Sequence, residues 1–130
     1  MKIKILKWKI HRATVTEACL DYEGSISIDR ILLKKAGILN YEKVHILNVT
    51  NGNRLETYAI PSNKTGQICI NGAAAHLVSP GDMVIIVAYC QIKKTQAYNF
   101  KPNLICVDKN NIIIKKWINR KNIPLILFKN

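Results

Sequence analysis

The chain has 130 residues, 48% of them apolar, and twenty Lys and Arg against eight Asp and Glu leave a net charge of +12. That length builds one domain with a buried core and leaves no room for separate catalytic and binding domains, while the apolar share excludes a disordered chain. The charge favours anionic partners in general, from nucleic acid to small carboxylates, without choosing among them.

Residues 3 to 18 mix β-branched side chains with interleaved Lys, and Ala13-Thr14-Val15-Thr16 is strongly strand-prone, so this stretch reads as one long strand or two short ones. The first nine residues are basic without an unbroken apolar run, which does not fit a secretory signal, and no apolar run reaches the length of a membrane span. The expected compartment is the cytoplasm. Tyr22 to Ser25 reads as a turn and Ile26-Ser27-Ile28 as a brief strand. Asp29 is a good N-cap, Leu32, Leu33 and Ala36 form one apolar face, and Gly37 is placed to end a short helix. Lys43 to Thr50 and Asn53 to Ile60 flank Asn51-Gly52, which predicts a hairpin with a type I′ turn, closed by Pro61 into a polar loop ending at Gly66. Gln67 to Ile70 is a short strand. The small-residue run Asn71 to Leu77 turns into a second short helix. Met83 to Tyr89 is a continuous apolar strand expected to be buried, and Leu104 to Val107 pairs with Ile112 to Ile114 around Asn110-Asn111. The tail from Asn119 is basic and irregular.

Many short strands with one or two short helices predict a mainly β fold, and the length favours a small closed barrel over residues 1–130. Cysteines 19, 69, 90 and 106 form no Cys-x-x-Cys pair and no Cys/His cluster, so they read as reduced thiols in or near the core, with no metal site.

Gly24-Ser25 is the pair with chemistry in it. A serine hydroxyl can attack the carbonyl of the peptide bond just before it when the backbone is held open, and a preceding glycine makes such a conformation accessible. The resulting ester can lose its acyl group by β-elimination, leaving a dehydroalanine that hydrolyses to an N-terminal pyruvoyl group. By itself the dipeptide reads as a turn.

Its surroundings carry more. Lys9-Ile10-His11-Arg12-Ala13-Thr14-Val15-Thr16, Tyr22-Glu23-Gly24-Ser25-Ile26-Ser27-Ile28-Asp29, Asn48-Val49-Thr50-Asn51-Gly52, Arg54 with Thr57-Tyr58, and Asn71-Gly72-Ala73-Ala74-Ala75 followed by Gly81-Asp82 stand in this order. In order and spacing, along about residues 1 to 90, they resemble the pyruvoyl-dependent aspartate 1-decarboxylases. The resemblance implies a six-stranded double-psi β-barrel, assembled as a homotetramer with active sites between subunits. It implies self-cleavage into a β chain of residues 1–24 and an α chain of residues 25–130 that begins with a pyruvoyl group made from Ser25. It further implies decarboxylation of L-aspartate to β-alanine and carbon dioxide, feeding pantothenate and coenzyme A synthesis. The pyruvoyl carbonyl condenses with the substrate amine, and the Schiff base accepts the electrons left by the departing carboxylate, so no external cofactor is needed.

The same resemblance distributes the roles. Arg54 offers a planar fork for a carboxylate, and gripping the one that leaves would oppose its loss, so Arg54 is expected to hold the retained side-chain carboxylate. Tyr58 resembles the proton donor to the carbanion. Thr57 resembles the residue that assists cleavage at the Gly24 carbonyl and lies at the substrate afterwards. On an alternating strand Thr57 and Tyr58 point to opposite faces, so a bulge, a bend or a subunit boundary has to let both reach the site. Gly72, Ala73 and Ala74 resemble a substrate-binding segment. Lys9 is expected at a substrate carboxylate, with Asn71, Tyr22 and His11 in support. A partner protein that triggers maturation is compatible with the same residues. The competing readings are a basic barrel that binds nucleic acid and a barrel of the same ancestry that no longer cuts itself. Aromatics are sparse among the basic residues beyond Trp8 and Trp117, which disfavours a nucleic-acid surface, and no nucleic-acid or membrane partner is expected.

Overall fold

Alternating stretches such as Ile26-Ser27-Ile28 and Val44-His45-Ile46 place every second side chain on one side, and burial of that side draws the strands around a common interior. A computed structural model describes residues 1–117. The strands are β1 (Lys2–Thr14), β2 (Glu17–Cys19), β3 (Ser25–Asp29), β4 (Lys43–Asn48), β5 (Arg54–Ser62), β6 (Ile68–Asn71), β7 (Met83–Lys93), β8 (Asn103–Val107) and β9 (Ile113–Trp117). Helix α1 (Arg30–Ala36) follows β3, a 3-10 helix (Gly72–Leu77) follows β6, and α2 (Lys94–Ala97) follows β7. The expected mainly β architecture with short helices is what forms.

The strands hydrogen-bond in the order β2-β6-β3-β5-β4-β7-β1-β8-β9. Pairs β1–β8, β2–β6 and β3–β5 are parallel, and the remaining ladders are antiparallel. One buried cluster takes Trp8, Ile10 and Ala13 from β1, Ile26 and Ile28 from β3, Ile46 from β4, Ile70 from β6, Ile86 from β7 and Ile105 from β8. A single interior shared by strands from both halves of the ladder requires the sheet to curl.

Asn111, buried in the β8–β9 connection, ties the two halves of that curl. Its Oδ1 accepts from Thr14 N at 2.7 Å, and its Nδ2 donates to Thr14 O at 2.8 Å and to Gly66 O at 2.7 Å. Gly66 precedes β6, near one end of the ladder, while Asn111 lies at the other. The approach is close enough that a Cβ on Gly66 would lie 2.6 Å from Asn110 O.

Helix α1 forms as its caps predict: the Asp29 carboxylate accepts from Ile31 N at 2.9 Å, and Gly37, at φ 81°, donates to Leu33 O and Lys34 O. Other expectations need correction. The β4–β5 connection is not a type I′ turn, because only Gly52 has positive φ there. Asn48 Oδ1 instead accepts from Thr50 N and Asn51 N, and Asn51 Oδ1 from Asn53 N, so side-chain amides shape a longer loop. Pro61 does not end β5 but lies inside it, paired with Ile28 of β3, where the β4 ladder has already ended at Tyr58. With a strand on one side only, the missing N–H is tolerated. β7 runs on beyond Tyr89 to Lys93, and α2 follows without a sequence signal that marked it. The expectation for the tail from Asn119 falls outside the described residues.

Three side-chain bonds at a buried site make Asn111 the test of this closure. Asn111→Gly keeps the positive φ of 61° accessible and removes only the side chain. It is expected to lower the unfolding free energy by about 2 kcal/mol in chemical denaturation; a change within about 0.5 kcal/mol would show that the closure does not depend on this residue.

Candidate active site

β3 and β6 pair antiparallel with Ser25 opposite Asn71, Ile26 opposite Ile70, Ser27 opposite Cys69 and Ile28 opposite Ile68. Alternation sorts these eight residues by face. The four isoleucines enter the core, and Ser25, Ser27, Cys69 and Asn71 share the other side. That side is covered too: Ser25 is 1% exposed and Asn71 3%.

Buried polar groups need partners, and these find one another. Asn71 Nδ2 donates to Ser25 Oγ at 2.9 Å and to Ser27 Oγ at 3.1 Å, while Cys69 Sγ donates to Asn71 Oδ1 at 3.2 Å. The Ser25 hydroxyl donates to Glu23 O at 3.3 Å. The hydroxyl is therefore held from two sides.

Directly after Asn71 the chain bends back at Gly72, with φ 72°. A Cβ there would lie 2.6 Å from Gly24 Cα, 2.7 Å from Gly24 N and 3.0 Å from Tyr22 O. Gly72 is thus in backbone contact with the segment that carries the Gly24–Ser25 bond, and no other residue type fits without moving it. Ala74 packs against the core and Ala73 is exposed, both on the 3-10 helix that Gly72 begins.

β5 lies on the other side of β3. The parallel ladder starts at Ile26–Ala59 and continues with Ser27–Ile60. The preceding pair of positions is Ser25 and Tyr58, and Tyr58 shares by alternation the face of Ile60, hence of Ser27 and Ser25. Arg54 and Glu56 lie on this face as well. Thr57 goes inward with Leu55 and Ala59, and the β4–β5 ladder has no register shift, so no bulge brings Thr57 and Tyr58 to one face. At this point β5 changes neighbours, from β4 up to Tyr58 to β3 from Ala59. Tyr41, which no sequence signal singled out, places its ring 6.3 Å from that of Tyr58. Lys43 pairs with Tyr58 and opens a groove of about 460 Å³ with Lys4, His45, Tyr89, Cys90 and Gln91.

The Arg54 end of β5 is tied to the Gly72 segment by amides. Asn48, Asn51 and Asn53 all donate through Nδ2 to Leu77 O, at 3.4, 3.1 and 3.1 Å. Asn48 also donates to Asp82 Oδ2 at 2.9 Å.

Lys9 and His11 lie on β1. Lys9 pairs with Val87, Val87 with His45 and His45 with Glu56, which puts Lys9 three strand spacings from β5, roughly 14 Å along the sheet. Among the described residues no hydrogen bond or ion pair joins Lys9 to Ser25. Burial lowers the Lys9 pKa. Burial, then the charges of Lys9 and Arg12, lower that of His11 to about 4. His11 is therefore neutral near pH 7. Arg12 beside it has φ 59°, where His11 and Arg12 together face one residue of β7 in a bulge.

The family model for aspartate decarboxylase matches residues 1–114. This chain belongs to that family. Among similar relatives is an aspartate 1-decarboxylase of Campylobacter jejuni (strain 81116), 55% identical over 115 residues that cover 88% of this chain and 91% of the relative. Those of Caldicellulosiruptor bescii, at 54% with 88% and 91% covered, and Clostridium botulinum (strain Langeland), at 56% with 86% and 90% covered, are similar as well. A rationally designed protein of known structure overlaps 63% of this chain and 91% of its own at 16% identity, with a TM-score of 0.42.

Within the family's motifs, one chain brings together Tyr22, Gly24, Ser25, Asn71 and Gly72 by contact, and Tyr58 by register. Along the ladder Lys9 is three strands from β5. Ser27, Cys69 and Tyr41 complete the neighbourhood and were not among the residues singled out from sequence. Cys69 read only as a core thiol, since nothing in a lone cysteine announces an amide partner two residues on.

Two measurements test this geometry. Gly72→Ala forces its Cβ onto Gly24 backbone and is expected to cost about 1–3 kcal/mol of stability. Gly24→Ala meets nothing within 4 Å and is expected to stay within about 0.5 kcal/mol. Equal effects in denaturation would contradict the contact. For His11 the unfolded chain takes up its proton near 6.5 and the folded one near 4. The unfolded state binds more protons in between, so stability falls as pH drops from 6.5 towards 4 and levels off below. His11→Gln is expected to flatten the melting temperature across this window, and an unchanged slope would assign the effect to other groups.

Proposed function

We propose that the chain cuts itself between Gly24 and Ser25 and then, as a pyruvoyl enzyme, converts L-aspartate to β-alanine and carbon dioxide. The observation that carries this is the buried Ser25 hydroxyl, held by Asn71 at 2.9 Å while Gly72 seats on Gly24 with no side chain between. A decarboxylase of this family is a carboxy-lyase, and the arrangement around Ser25 fits a self-made prosthetic group at that position.

In the cleavage, Ser25 Oγ adds to the Gly24 carbonyl carbon, the C–N bond breaks, and the freed nitrogen takes a proton, leaving an ester. Loss of the Ser25 α-proton and expulsion of the Gly24 carboxylate give dehydroalanine. Water then adds, ammonia leaves, and the α chain begins with a pyruvoyl group. An N–H donor on Oγ, which Asn71 provides, favours the charge that develops when the hydroxyl loses its proton. Gly72 keeps Gly24 in place, and Thr57, which alternation turns away from Ser25 within one chain, assists at the Gly24 carbonyl across a subunit boundary.

The mature group supplies an electron sink for the pair left by the departing carboxylate. The chain's own residues do the rest. Arg54 holds the retained carboxylate as a bidentate fork, Tyr58 returns a proton to the substrate carbon, and the segment Gly72-Ala73-Ala74 lets backbone donors approach the ligand. Lys9, three strands from β5 along the ladder of one chain, is supplied by a second copy, with neutral His11 and Tyr22 in support. A homotetramer of double-psi barrels with sites between subunits meets that requirement, in the cytoplasm where aspartate is at hand.

Denaturing mass spectrometry of the purified protein, before and after incubation with cell extract, tests the reading. Two fragments are expected, residues 1–24 and residues 25–130 with pyruvoyl in place of Ser25, together with release of carbon dioxide from aspartate. Ser25→Ala is expected to stay intact and inactive. Intact wild-type chain under both conditions, with no carbon dioxide released, would refute the proposal; cleavage only with extract assigns maturation to a partner protein.

A further inference from the structure

A carboxamide can be turned end for end at almost no steric cost, and its two ends do opposite things to a serine. With Nδ2 towards Ser25, Asn71 donates to Oγ; with Oδ1 there, it would take the hydroxyl proton for itself. Ser25 and Ser27 do not decide between these, because a hydroxyl donates and accepts equally well. Something on the far side of the amide must.

On that side stands Cys69, two residues before Asn71 on β6 and opposite Ser27 on β3. Its Sγ is 3.2 Å from Asn71 Oδ1, and both side chains are buried. A thiol is a donor, if a weak one, and a poor acceptor for an N–H. We propose that Cys69 is a positioning residue, whose S–H holds Asn71 Oδ1 and so turns Nδ2 onto Ser25 Oγ for the attack on Gly24.

This role requires the sulfur to keep its proton. Burial pushes the Cys69 thiol above its ordinary value, Glu17 and Cys19 on the neighbouring β2 push the same way, and Lys64 opposes them. The proton therefore stays on sulfur at neutral pH, and the donor is present in the uncleaved chain. With Nδ2 donating to Oγ, the hydroxyl's own proton goes to Glu23 O, as observed. A reversed amide would compete for it. The four side chains on this face of β3–β6 thus form a directed relay from Cys69 through Asn71 to Ser25, with Ser27 accepting the second Nδ2 proton.

The inference rests on self-cleavage at Gly24–Ser25, and the test separates the two. Cleavage rates of wild type, Cys69→Ser and Cys69→Val are followed by denaturing mass spectrometry on the full chain. Serine keeps the donor, and valine fills the space without one. Cys69→Ser is expected within about twofold of wild type, and Cys69→Val roughly three- to tenfold slower, the worth of one ordinary hydrogen bond. Wild-type speed in Cys69→Val, or equal slowing in both variants, overturns the proposal. If no protein cleaves, the self-cleavage reading fails, and nuclear magnetic resonance of the Asn71 side-chain amide in the intact chains still decides the positioning. Slow amide-proton exchange in wild type and Cys69→Ser but not in Cys69→Val supports it, and equal exchange in all three overturns it.

Discussion

The backbone contact between Gly72 and Gly24 is the constraint on which the rest of the site depends. It joins the end of β6 to the start of β3 at a distance that excludes even a methyl group. Everything placed around Ser25 follows from that approach. The antiparallel register that sets Ser25 opposite Asn71 brings the amide to the hydroxyl, and the isoleucines on the reverse face anchor both strands in the core. Burial of Ser25, Cys69 and Asn71 beside the half-buried Ser27 is tolerable only because they satisfy one another. The core thus pins the strands, and the polar face uses the resulting precision.

The second organising feature is the double allegiance of β5. Up to Tyr58 it belongs to the β4 ladder, and from Ala59 it belongs to β3. A strand that changes neighbours joins two parts of a curled sheet, and here the change falls level with Ser25. Alternation then commits Arg54 and Tyr58 to one face and Thr57 to the other. The three asparagine amides on Leu77 O keep the Arg54 end of β5 registered with the 3-10 helix that begins at Gly72. The same curl is closed at its far side by Asn111, bonded to Thr14 and Gly66.

The surplus of positive charge acquires a local meaning at β1. Lys9, His11 and Arg12 stand within a few residues; burial, then the charges of Lys9 and Arg12, leaves His11 neutral, and burial makes Lys9 easier to deprotonate. A cluster of that kind attracts carboxylates without presenting a uniformly charged wall. Among the described residues, Lys43 pairs with Glu56 and Lys7 with Glu42.

Much of the candidate site was legible in the residues alone. Gly24-Ser25, Arg54, Thr57-Tyr58 and Asn71-Gly72 stand in motifs whose order carries the family, and the caps of α1 and the alternation of most strands follow from local chemistry. Local rules failed where distant groups competed with them. Asn51-Gly52 did not make its preferred turn because asparagine side chains bonded the loop backbone and Leu77, and Pro61 entered a strand because β4 had ended on one side. Likewise, no spacing in the sequence announced that Cys69 would face Asn71, that Tyr41 would reach Tyr58, or that Gly72 would rest on Gly24. The sequence determined which groups are available and which face of each strand they take, since periodicity is a local property. Only the tertiary structure decided which of them meet, because register and the curl of the sheet are set by packing between residues dozens of positions apart.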